Sequence, residues 1–164
     1  MTDAGPARSR AGRNLPVAIG VGVGLAAMVV TSLFVYRPSF AVIVGLAVVY
    51  GCYELSRAFA AADVEIALVP VTVGAVAILV AAWLRGPDGL AVALLLTVCA
   101  VLIWRLGEGA GGYLRDVSAS VFVLLYLPTL AGFAVLSVHE HDGAARILTF
   151  VAAVVCSDTG GYAT

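Results

Sequence analysis

Asp158 is the residue whose position most demands a chemical explanation. It follows the apolar run Ile147 to Cys156, and no basic residue lies nearby in the chain to neutralise it. An unpaired carboxylate facing lipid is costly, so acids inside membrane segments face a bundle interior or a wet cavity and mark ion, proton or substrate sites. Ser157 and Thr159 add hydroxyls on either side, Gly160 and Gly161 let a ligand or a second backbone approach closely, and Tyr162 follows. The competing reading is a solvated carboxylate at the aqueous end of a helix. Position and composition leave both open.

Other candidate groups read more simply. Gly22-x-Gly24-x-x-Ala27 has the spacing of a dinucleotide fingerprint, but it sits inside an apolar run with no preceding strand, so helix packing is expected there. His139-Glu140-His141-Asp142 could ligate a metal on paper, yet it lies in a short polar connection remote from Asp158. Cys52, Cys99 and Cys156 stand far apart in apolar runs, which favours buried free thiols over a zinc site or disulfides. Glu54 and Arg57 have the spacing of an ion pair on one helix face, with a substrate headgroup as the other possible partner.

The elements that must position these groups are membrane helices. The 164 residues are 62% hydrophobic and 12% charged, with a mean hydropathy of +1.08, so lipid is the solvent for most of the chain. A formal charge of −1 leaves no broad basic surface, which excludes nucleic acid as a partner. All nine basic residues are Arg, a bias that carries no functional weight. The expected fold is all-α, a polytopic transmembrane bundle of about six spans at 15–36, 39–59, 66–84, 89–104, 117–138 and 145–164, preceded by a basic tail at 1–14. The first run has about 22 residues, long enough to cross about 30 Å of hydrocarbon, and reads as a retained span and not a cleaved signal. Arg85-Gly86-Pro87-Asp88 is expected to form a turn, and Arg115-Asp116 to lie in a polar loop. Pro128 falls inside the fifth span, which requires a neighbouring group to satisfy the carbonyl it frees.

Orientation follows from the arginines. Arg8, Arg10, Arg13, Arg57, Arg105 and Arg115 fall on one side of the membrane, and Arg37, Arg85 and Arg146 on the other. This favours a multi-pass protein of the cell membrane with a cytoplasmic N-terminus, and it brings the Asp158 end of the last span to the cytoplasmic face. Arg105 and Arg115 are then expected to set topology and to touch anionic headgroups.

The run Ser157-Asp158-Thr159-Gly160-Gly161-Tyr162-Ala163 resembles the D-T-G-[AG]-Y segment of bacterial phosphatidate cytidylyltransferases, also called CDP-diacylglycerol synthases. Leu124-Leu125-Tyr126-Leu127-Pro128-Thr129-Leu130 is similar to the family's L-Y-[VL]-P segment. Weaker similarity lies in Arg13-Asn14-Leu15-Pro16 and Tyr53-Glu54-Leu55. In order and hydropathy the resemblance covers most of the chain. It implies an enzyme that converts CTP and phosphatidate to CDP-diacylglycerol and pyrophosphate. Asp158 would be the catalytic and Mg²⁺-binding residue, and Ser157, Thr159, Gly160, Gly161 and Tyr162 would be substrate-binding. The family's Ser-Pro-Lys-Lys and His-Gly-Gly-x-x-Asp-Arg-x-Asp segments do not occur in these residues, and the chain has no Lys. The expectation is therefore an N-terminal fragment, inactive alone, whose partners are CTP, phosphatidate and membrane lipid, with a homo-oligomer as a candidate assembly.

The runner-up function is a secondary transporter or channel with Asp158 as an ion or proton site, although no internal repeat relates the first three spans to the last three. A non-catalytic scaffold would tolerate replacement of Asp158.

Overall fold

The computed structural model describes residues 15–109, 111–139 and 142–163, without the side chains of 15–19, 21, 23, 25, 26, 35, 37, 139, 155 and 158–163. Within them the chain is helical throughout, in the order α1 (Leu15–Val35), α2 (Arg37–Ala60), α3 (Leu68–Gly107), α4 (Tyr113–Leu124), a π-helical turn (Leu125–Thr129), α5 (Leu130–His139) and α6 (Gly143–Ala163). No strand occurs among the described residues.

Each break has a local cause. Tyr36 is extended at φ −153°, and Pro38 in the first turn of α2 lacks only a donor that would have no helical partner. Gly86 adopts φ 69° and ψ −153°, a conformation open essentially to glycine, and Pro87 restarts the helix behind it. This one residue folds α3 back on itself. In a straight helix positions 74 and 97 would stand about 35 Å apart, yet a Cβ added at Gly74 would collide with the Thr97 side chain. The limbs 68–85 and 87–107 therefore form an antiparallel hairpin in touch at that glycine. Asp63 (φ 57°) and Gly112 (φ 70°) take left-handed conformations in the other two turns at the same end as the α3 termini.

The core lies between α2, the α3 hairpin and the α4–α5 rod, where Val48, Cys52, Val71, Ile78, Val101, Val123 and Val135 are buried. A second cluster of Leu33, Phe40, Val138 and Ile147, with Trp83 against it, ties α1 and α6 to the end of the bundle where the α3 hairpin turns. The outer face is apolar too: Leu46, Leu84, Leu95, Ile103 and Phe150 are about two-thirds or more exposed. Among the described residues three helical segments, Pro38–Ala60, Leu68–Gly107 and Tyr113–Val138, are long and apolar enough to cross a membrane.

The rod formed by α4, the π-turn and α5 shows how Pro128 is accommodated. Proline removes the N–H that would bond the Leu124 carbonyl, and the Thr129 hydroxyl donates to that oxygen instead, at 2.9 Å. The widened turn directs Leu127 toward α2, where a Cβ at Gly51 would lie 3.1 Å from its Cδ1. Thr129→Val keeps the shape and removes the donor. It should lower stability by about 1–2 kcal/mol, read as a lower unfolding midpoint in detergent, whereas Thr129→Ser should stay near the wild type.

Several expectations are corrected. Arg115 and Asp116 do not lie in a loop: both belong to the first turn of α4, which begins at Tyr113 once Gly112 supplies the left-handed turn. Glu54 and Arg57 are both exposed and form no ion pair. Only Cys52 of the three cysteines is buried; Cys99 and Cys156 sit on the apolar outer face, and all three are free. Gly22 and Gly24 are helical, which rules out a strand-to-helix phosphate loop, but among the described residues nothing lies within 4 Å of their added Cβ positions, so no close helix contact is seen there.

Candidate functional site

The end of the bundle opposite the α3 turn carries a network that hydropathy did not reveal. Arg105, in the last turn of α3, is 5% exposed and sits among three carboxylates. Its Nη2 donates to Asp116 Oδ2 at 2.5 Å, and its Nη1 donates to Glu65 Oε2 at 3.4 Å and to Glu108. Arg115 Nε donates to the other oxygen of Asp116, at 3.2 Å. Among the described residues, the Nε of Arg105 is the one buried side-chain polar atom without a hydrogen-bond partner. Arg105 thus faces inward to an ion cluster, contrary to the expectation that it reaches anionic headgroups. Its burial follows from geometry: three acids from three parts of the chain converge where one guanidinium can serve them all.

The same cluster caps a helix. The α3 N-terminus has no side-chain cap of its own at Ala67. The Glu65 N–H donates to Asp116 Oδ1 at 3.1 Å, and the Ala67 N–H donates to Ser120 Oγ at 3.0 Å. Asp116 and Ser120 lie four apart, on one face of α4, and supply from another helix the acceptors that a local cap would offer. A cleft of about 360 Å³ opens beside this junction, lined by Ser56, Glu65, Trp104, Arg105 and Glu108 among others.

Asp158 belongs to the last turns of α6. Its α6 helix starts at the end where the α3 hairpin turns, with Ile147 and Ala144 in that cluster, and remains helical through Ala163. At 1.5 Å per residue this places Asp158 about 22 Å along the axis from Gly143. Positions 158, 161 and 162 share one face of α6 by their spacing. Ser157 is exposed, whereas the side chains of Asp158, Thr159 and Tyr162 lie outside the described set. Two consecutive glycines each weaken a helix by about 1 kcal/mol, so Gly160-Gly161 does not favour the helix it lies in. Of His139-Glu140-His141-Asp142, Glu140, His141 and the His139 side chain also lie outside the described set.

No group of three potential metal ligands occurs among the described residues. Glu65, Glu108 and Asp116 do converge, but on the Arg105 guanidinium, which holds the place a cation would take. A signal for this cluster was present in the sequence, since Trp104-Arg105-x-x-Glu108 and Arg115-Asp116 concentrate charge where the chain has little. What spacing could not show is that Glu65, forty positions earlier, closes it.

A helical bundle apolar both inside and outside, with its charged residues at its ends, is the architecture of an integral membrane protein. The chain belongs to the cytidylyltransferase family, whose model matches residues 16–164. It is similar to the phosphatidate cytidylyltransferase of Mycobacterium leprae (strain TN), with 33% identity over 93% of this chain and 54% of the relative. Proteins of the same name from Mycobacterium bovis and Mycobacterium tuberculosis are 32% identical over 94% of the chain, covering 55% and 51% of their own lengths. The chain therefore spans about half the length of the curated relatives it matches. No solved structure matches it.

Proposed function

We propose that the protein carrying this chain transfers the cytidylyl group of CTP to phosphatidate. A phosphate oxygen of the lipid attacks the α-phosphorus of CTP, the bond to the β-phosphate oxygen breaks, and CDP-diacylglycerol and pyrophosphate result. The observation that carries this reading is the alignment of nearly the whole chain with phosphatidate cytidylyltransferases from three mycobacteria, on a membrane-helix architecture suited to a lipid substrate.

In this reading Asp158 is the catalytic carboxylate, and Ser157, Thr159, Gly160, Gly161 and Tyr162 form the backbone and hydroxyl surroundings of the substrate phosphates. Mg²⁺ keeps most of its shell as water and substrate phosphate and needs only one or two protein carboxylates, so Asp158 alone is a sufficient donor from these residues. The ion would neutralise charge on the transferring phosphorus and on pyrophosphate. The Arg105 cluster has no free carboxylate to offer and serves as the anchor that fixes α3 and α4 at the same end.

The membrane arrangement proposed with this activity is six crossings in the cell membrane, the two limbs of α3 counting separately at about 27 and 31 Å. The N-terminus, the Arg105 cluster and the end of α6 lie on the cytoplasmic side, where CTP is available. Pyrophosphate release from the complete open reading frame in membranes should require CTP and phosphatidate together; release that ignores phosphatidate would refute the reading. Topology has its own test. In a background without Cys52, Cys99 and Cys156, Ala110→Cys should react with an impermeant maleimide only from the cytoplasmic side, and labelling from outside would invert the arrangement.

A further inference from the structure

The α3 hairpin leaves an open groove on its outer face, with a volume of about 710 Å³. Its floor is made by small residues, among them Gly74, Ala77 and Ala81 on the first limb and Gly89 and Ala93 on the second. Val92 and Leu96 add larger apolar walls. The groove runs from Trp104 at the end bearing the Arg105 cluster to Arg85 and Asp88 at the hairpin turn. Both of these charged residues are exposed, and neither has a hydrogen-bond or ion-pair partner among the described residues, the other included.

We infer that this groove holds one zwitterionic phospholipid of the leaflet at the hairpin turn, with an acyl chain along the small-residue floor, its phosphate on Arg85 and its primary ammonium on Asp88. The limbs touch at Gly74 and Thr97, so the groove is a seam between two helices in contact. A flexible chain follows such a seam. Charge selects the headgroup. An isolated arginine at a membrane surface favours any anionic lipid, but Asp88 three positions on opposes a headgroup with net negative charge and provides an acceptor for an ammonium. One cation and one anion, unpaired with each other at the mouth of one apolar groove, complement phosphoethanolamine.

The site lies at the opposite end of the bundle from the Arg105 cluster, and the inference rests on the membrane reading of the chain and not on cytidylyl transfer. Native mass spectrometry of the purified protein that carries this chain, released from micelles holding equimolar dioleoyl phosphatidylethanolamine and dioleoyl phosphatidylglycerol, tests it. The wild type should retain one phosphatidylethanolamine in preference. Arg85→Gln should lower its retention about fivefold, and Asp88→Asn should reverse the preference toward phosphatidylglycerol, because the arginine is then unopposed. Both changes are on exposed side chains and leave the core intact. Ala77→Phe, which fills the floor, should lower retention of both lipids. Equal retention of the two lipids by the wild type, an unchanged preference in Asp88→Asn, or a dimer in place of the lipid adduct would each overturn the inference. None of these outcomes bears on whether CDP-diacylglycerol is formed.

Discussion

Asp158→Ala, made in the open reading frame that carries this chain, should reduce CTP-dependent formation of CDP-diacylglycerol by about 10²–10³-fold, the scale on which losing one group that stabilises transition-state charge is felt. Membrane insertion and expression should not change, because α6 is held to the bundle by Ala144, Ile147 and Leu148, far from position 158. Asp158→Asn separates charge from shape. It keeps an oxygen at the same reach but no negative charge, so it should resemble Ala if the residue binds a cation, and should retain most activity if the residue only accepts a hydrogen bond. Activity near wild type in Asp158→Ala would remove the residue from the site. Cells dependent on the gene provide a second readout, since only the wild type should support growth.

Arg105→Ala should be the most destabilising single change at the cluster end of the bundle. It leaves Asp116, Glu65 and Glu108 facing one another with only Arg115 to offset them, and breaking a buried ion pair by removing one partner costs about 3 kcal/mol or more. Arg105→Lys should recover only part of this, because an ammonium on a flexible stem cannot reach three carboxylates as a planar guanidinium does. Asp116→Asn should be milder than either: it keeps an acceptor for the Glu65 N–H and leaves Arg105 with two carboxylate partners. The ordering Arg105→Ala, Arg105→Lys, Asp116→Asn in unfolding midpoints, measured in one detergent, checks the account. Equal midpoints for all three would show that the cluster is a surface feature of no structural weight.

The helices were legible because a lipid solvent imposes a simple rule: an apolar run ends where a charge, a proline or a glycine group occurs. Tyr36-Arg37-Pro38 and Arg85-Gly86-Pro87 mark real breaks for this reason, and the requirement that something satisfy the carbonyl freed by Pro128 is met by Thr129. The same uniform hydropathy hid what faces inward. Arg105 and Arg115 look alike in sequence, each flanking an apolar run, yet one is buried among acids and the other is half exposed. The difference comes from Glu65, brought to Arg105 when α3 doubles back at Gly86, and from Asp116, brought there by the turn at Gly112. Glu54 and Arg57 illustrate the converse, since helical spacing permits a pair that two exposed side chains do not make. The Asp158 segment was legible only as a pattern of residue types, and it lies within residues 16–164 that the family model matches.

The activity itself can be followed atom by atom. Membranes containing the complete open reading frame should be given phosphatidate with CTP labelled either at the α- or at the γ-phosphorus. The account predicts that α-label enters the chloroform-extractable lipid as CDP-diacylglycerol, and that γ-label leaves in water-soluble pyrophosphate. No lipid-borne α-label, in membranes where the protein is inserted, would contradict it.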